Sequence, residues 1–150
     1  MLPDTLKNVS QHKEPSGDDE TVKYEREDMQ LLEGLCPDPS FLSAMIAQIE
    51  ASGPGYGQYA HPHWVDFILT SANTWKQPIE DFTLPVERGK PDEENTQTFV
   101  SFCSPQNANV EKLDADHLQV HLTNFVPASE LRIGFFDVPV ARPAQPAPKK

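Results

Sequence analysis

The residues best equipped for chemistry in this chain are histidines, cysteines and closely spaced acids, and their spacing limits what they can do. His61-Pro62-His63 has the sharpest metal-type spacing. Side chains one residue apart on a strand share a face, so such a pair can ligate one ion, with a third ligand from Asp66, His117 or His121. A regular strand points His63 and Asp66 to opposite faces, however, and Pro62 delays the strand to His63. Two exposed loop histidines are the plainer reading. His117 and His121 flank Gln119 on the polar side of an alternating segment, which describes a half-exposed strand. Asp114 and Asp116 in KLDADHL could bind calcium or do acid–base work, yet a two-acid turn between strands is mostly solvated.

Cys36 and Cys103 are far apart and form no metal-type pair, so two readings stay open. They are two buried reduced thiols, or one disulfide closing a loop of roughly 70 residues, worth about 4 kcal/mol in the chain-entropy model. Cys103 as a nucleophile served by His117 or His121 is weakened by its apolar strand, Phe99, Val100 and Phe102. The chain has no G-x-S-x-G elbow and no glycine-rich phosphate loop, and its residues imply no cofactor. Tyr56, Tyr59, Trp64 and Trp75 are the remaining candidates. Aromatics on loops at one end of a sandwich make a contact surface for a protein or glycan, and the competing reading is that both tryptophans complete the core.

These residues need elements to position them. PDPSFLSAMIAQIEASGPG predicts an amphipathic helix over about 39–52, with Asp38 as cap, Pro39 in the first turn and Gly53-Pro54 as the stop. Its stripe is Phe41, Leu42, Met45, Ile46 and Ile49. A shorter helix is read over Glu25–Leu35. Beyond a Gly/Tyr/Pro loop the period changes to two, which predicts strands at 63–70, 80–86, 96–103, 117–125 and 130–138. Pro85 marks the second of these as an edge. The fold class is therefore α+β, mostly β: an antiparallel sheet or sandwich of about five strands with one amphipathic helix packed on it. Residues 1–23 read as a disordered acidic arm, 24–138 as a single domain and 139–150 as a Pro/Ala-rich tail.

The net charge is −11, with 23 acids against 12 Lys and Arg, which disfavours nucleic acid and anionic membrane surfaces. No apolar run nears the ~20 residues of a spanning helix, so membrane insertion is not expected, and no signal segment is read at the start.

Four stretches, LCPDPSFLSAMI (35–46), WVDFILTSANTWKQPIEDFTLPVERGKPD (64–92), FVSFC (99–103) and TNFVPASELRIGFF (123–136), together carry a resemblance. In their order and spacing they resemble the C-terminal part of a bacterial family, domain of unknown function 4424. The turn Ser71-Ala72-Asn73-Thr74 lacks that family's usual glycine, and the loop around Lys90–Gln97 is longer. The resemblance implies a periplasmic or secreted location, the alternative being cytoplasmic, and thereby favours the Cys36–Cys103 disulfide. It also implies a missing N-terminal β-rich region as an associating partner, and it supplies no catalytic residue. The functional expectation is a non-enzymatic envelope or secreted binding or structural module. The alternatives are a metal-dependent hydrolase-like enzyme using His61 and His63, and a subunit or fragment of a larger two-part β-rich assembly.

Overall fold

A computed structural model describes residues 3–17, 19–53, 59–89 and 96–140. Tyr56, the acids Asp92, Glu93 and Glu94, and most of the Pro/Ala-rich tail lie outside the described residues.

Among the described residues three α-helices come first: α1 (Pro3–Gln11), α2 (Asp19–Glu33) and α3 (Pro39–Ala51). In α3 the Asp38 carboxylate accepts the Phe41 N–H at 2.9 Å and the Ser40 hydroxyl at 2.5 Å. Those two hydrogen bonds, Ser40 first, hold its pKa below the usual carboxylate range. Pro39 opens the helix, where its missing N–H costs nothing. Gly53, at φ 81°, follows the last turn in a conformation that favours glycine. Leu42, Met45 and Ile49 are buried, and Phe41 and Ile46 pack at the rim of the same cluster, so the predicted stripe is the observed one.

The described residues of the stretch read from the sequence as a disordered arm are largely helical. Residues 3–11 are helical, and α2 begins at Asp19, before the short helix read from the sequence. Pro3 stands at the start of α1 and Asp4 in its first turn, where a carboxylate complements the helix dipole. Leu6 and Val9, three apart, are buried with Met29 and Leu32 of α2 and with the α3 stripe. The Lys7 ammonium meets the Glu50 carboxylate of α3 at 2.7 Å.

Six strands follow among the described residues: β1 (His61–Phe67), β2 (Ile79–Glu87), β3 (Thr96–Phe102), β4 (Val110–Lys112), β5 (His117–Phe125) and β6 (Leu131–Pro139). They form two antiparallel three-stranded sheets, ordered β1-β6-β3 and β2-β5-β4. The three-residue β4 is the strand without a sequence signal. Pro85 does lie on an edge strand, β2.

Register assigns the faces. On β6, Phe136 and Val138 join Phe99 of β3 beneath the helices, with Phe41 of α3 edge-on to Phe99 and Phe136 at 6.1 and 5.6 Å. The alternate residues, Leu131 and Ile133 of β6 with Val100 and Phe102 of β3, face Val86 and Val120 of the second sheet. The molecule is thus a helical layer on a two-sheet sandwich, with two apolar cores separated by the β1-β6-β3 sheet. Burying such side chains stabilises by about 1.5–3 kcal/mol each.

One contact fixes how closely the layers approach. Gly134 of β6 lies beneath Leu35, and a Cβ there would come within 2.4 Å of the Leu35 Cδ1. The Ser101 hydroxyl of β3 donates to the Leu35 carbonyl at 2.9 Å. Next in the chain, Cys36 is disulfide-bonded to Cys103, with Cα atoms 4.9 Å apart. Of the two readings of the cysteines, the disulfide is the one the structure contains.

Candidate functional site

The two edges of the β1-β6-β3 sheet differ sharply. On β3, Thr98 through Phe102 are all buried, whereas on β1 six of the seven residues are exposed and Pro62 is half-buried. Among the described residues β1 has a strand neighbour on one side only. Trp64, Val65 and Phe67 are 48, 45 and 42% exposed, and Ile68, just beyond the strand, is 75% exposed. The apolar residues occupy both faces of this edge. Trp64 shares the helix-side face with Asp66, and Val65 and Phe67 share the opposite face with His61 and His63.

Polar neighbours hold this edge in place. Asp66 stands directly opposite Arg132 of β6 and accepts from it twice, from Nε at 2.6 Å and Nη2 at 2.9 Å. The bidentate fork lowers the Asp66 pKa and raises that of Arg132. The same guanidinium lies 5.7 Å from the Trp64 ring centroid, in cation–π position. On the other face His63 stacks on Phe135, opposite it on β6, with centroids 5.2 Å apart and planes 8° from parallel. Its Nδ1 is 3.7 Å from the Asp137 carboxylate.

After β1 the chain turns through a 3-10 segment, Thr70–Thr74, anchored by Glu130. That carboxylate accepts the Thr70 hydroxyl and the Leu69 N–H, the latter at 2.6 Å. Hydrogen bonding, from Thr70 foremost, lowers the Glu130 pKa. Beside the turn is a cleft of about 320 Å³ bordered by Asp66, Phe67, Ile68, Glu130 and Arg132. Gly34, Glu130 and Arg132 also line a second cleft of about 410 Å³, which reaches Cys103 and Ser104.

The candidates from the sequence are distributed as follows. His61 and His63 share a face, but Asp66 lies on the other, and His117 and His121 belong to the second sheet. Among the described residues no group of three His, Cys, Asp or Glu is arranged to hold a metal ion. His117 Nδ1 contacts both Asp114 oxygens at 2.8 Å, while His121 Nε2 reaches Asp81 at 3.0 Å. Asp114 also accepts the N–H groups of Asp116 and His117, so its carboxylate closes its own turn. Cys103, bonded to Cys36, has no thiol with which to attack. Trp75 is 63% and Tyr59 43% exposed, so neither they nor Trp64 complete a core.

Sequence reasoning missed Val65, Phe67, Ile68 and Arg132. The signal for the first three is an apolar run that fails to alternate, which reads as a strand buried on both faces. Arg132 enters only through the strand register.

Comparison with known proteins places the family: the family model described as "Domain of unknown function (DUF4424)" matches residues 4–133. No curated protein and no solved structure matches.

Proposed function

The chain belongs to the domain of unknown function 4424 family, and from that premise we propose a non-enzymatic binding and structural module that holds another polypeptide along β1. The observation that carries this reading is the exposure of Trp64, Val65 and Phe67 on both faces of an open edge strand. An edge of this kind offers main-chain hydrogen bonds and apolar pockets to an added strand. A polypeptide suits it better than a glycan, because the apolar residues run along both faces of the strand. The Cys36–Cys103 disulfide supports a periplasmic or secreted setting, where such bonds persist.

A photo-crosslinking amino acid at position 64, introduced into the protein in its native compartment, tests the reading. A discrete protein adduct at position 64, absent when the same group replaces Glu111, is the expected result. The same low yield at both positions rejects it. The open edge also favours the more specific reading that β1 docks against an N-terminal β-rich region of the family. Mixing that region with this chain then gives a heteromeric complex by light scattering, which Trp64→Lys abolishes. The rival hydrolase-like reading requires stoichiometric zinc binding by calorimetry that is lost in His63→Ala.

A further inference from the structure

Resting on the reading of β1 as a binding edge, we propose that its occupant is a second copy of this chain. The two β1 strands pair antiparallel about a two-fold axis through Trp64, joining two three-stranded sheets into one of six.

Three observations favour self-pairing. First, β1 is seven residues long and Trp64 is its midpoint, so a two-fold there pairs the whole strand with itself. His61 then lies opposite the second copy's Phe67, Pro62 opposite Asp66, His63 opposite Val65, and Trp64 opposite Trp64. Opposed residues share a face, as antiparallel pairing demands. The His61–Phe67 pairs repeat one strand outward the His63–Phe135 stack already present across β1 and β6. Sliding by two residues in either direction sets Asp66 beside Trp64 or His63 against His63 and leaves strand ends unpaired.

Second, the edge is electrically quiet on a molecule of net charge −11. Edge strands commonly use a charge to repel other strands. Here the one carboxylate on β1 is closed into a bidentate pair with Arg132 of its own sheet. Two copies therefore meet without like charges in register, and the repulsion left between them is long-range and screened by salt.

Third, the area fits. Trp64, Val65, Phe67 and Ile68 expose on the order of 400 Å² of apolar surface. A stable interface takes roughly 800 Å² per partner, a little over half of it apolar. His61, His63 and the strand backbone, also exposed along β1, add polar surface to the seam.

Sedimentation velocity over a concentration series up to about millimolar measures the association. The expected species has twice the 16.8 kDa of the chain and is favoured by added salt. Trp64→Lys, on an exposed side chain that leaves the far-UV spectrum unchanged, weakens it at least about tenfold. Trp64→Cys adds one thiol to a chain whose two cysteines are bonded to each other. It cross-links into a covalent dimer on mild oxidation, whereas Glu111→Cys does not. A monomer at every concentration overturns the proposal, as does a dimer that is indifferent to Trp64→Lys and is not trapped by Trp64→Cys. Acrylamide quenching in a Trp75→Phe background distinguishes failure of self-pairing from failure of the binding edge. A monomer whose Trp64 is freely quenched removes self-pairing and keeps the binding edge for a different partner, while a shielded Trp64 in the monomer removes both.

Discussion

The histidine at position 117 shows how a residue that looks catalytic is explained by its own turn. Asp114, three residues earlier, accepts two backbone N–H groups and meets the imidazole with both carboxylate oxygens. The hydrogen bond that His117 donates to Asp114, followed by the Asp114 charge, raises the His117 pKa above 6.5. In return Asp114 is lowered, first by the Asp116 N–H and then by His117. A histidine raised on folding contributes stability below its unfolded value, and that contribution disappears as pH rises through the folded one. A carboxylate lowered on folding contributes above its unfolded value and loses the contribution as pH falls through the folded one. NMR titration is expected to place the His117 midpoint above 6.5, and Asp114→Asn returns it toward that value. An unshifted His117 in the unmodified protein would show that the contact is not kept in solution. Asp66 carries the complementary lesson. The sequence establishes that it opposes His63 across the strand, but the partner that satisfies it, Arg132, is 66 positions away and depends on pairing that no local pattern encodes.

Among the elements, α3 and β5 were legible because periodicity, caps and burial agree in them. Asp38, Pro39 and Gly53 bracket α3, and Val120 points inward between the outward-facing His117 and His121 of β5. Helix α1 was not legible. Leu6 and Val9 are its two apolar anchors within a polar, strongly charged segment, and their burial comes from α2 and α3 rather than from helix propensity. A direct consequence is that Leu6→Ala, at a fully buried position, lowers stability by roughly 2–5 kcal/mol in urea unfolding. A loss within about 0.5 kcal/mol, the range of ordinary surface substitutions, would show that α1 does not dock. β1 was legible as a strand, but the sequence left Trp64 between a contact surface and the core. A run with tryptophan, valine and phenylalanine reads as interior, and its exposure became visible only when both sheets were assembled and neither extended over it.

At the scale of the molecule, the helical layer and the sandwich are joined where Leu35 seats on Gly134 and Cys36 bonds Cys103. The bridge spans a sequence separation of 67. Its removal in Cys36→Ser/Cys103→Ser is expected to cost about 2–5 kcal/mol, read from chemical denaturation. Thiol counting on the denatured, unreduced protein should find none free, and two free thiols in protein from an oxidising compartment would contradict the bridge. The sequence left the two cysteines undecided because pairing is a property of distance in space, and only the family resemblance tilted the choice. The position of β6 has a consequence for how the chain is made. β6 is the middle strand of its sheet, yet it follows both β1 and β3 in the chain. A polypeptide emerging from the ribosome or through a membrane pore therefore presents two strands whose shared neighbour does not yet exist. Until Leu131–Pro139 appears, neither can pair within its sheet, and Cys36 has only the flank of an unfinished layer to find. Sheet closure waits for the last strand, and a chain interrupted before it keeps two unpaired, aggregation-prone strands.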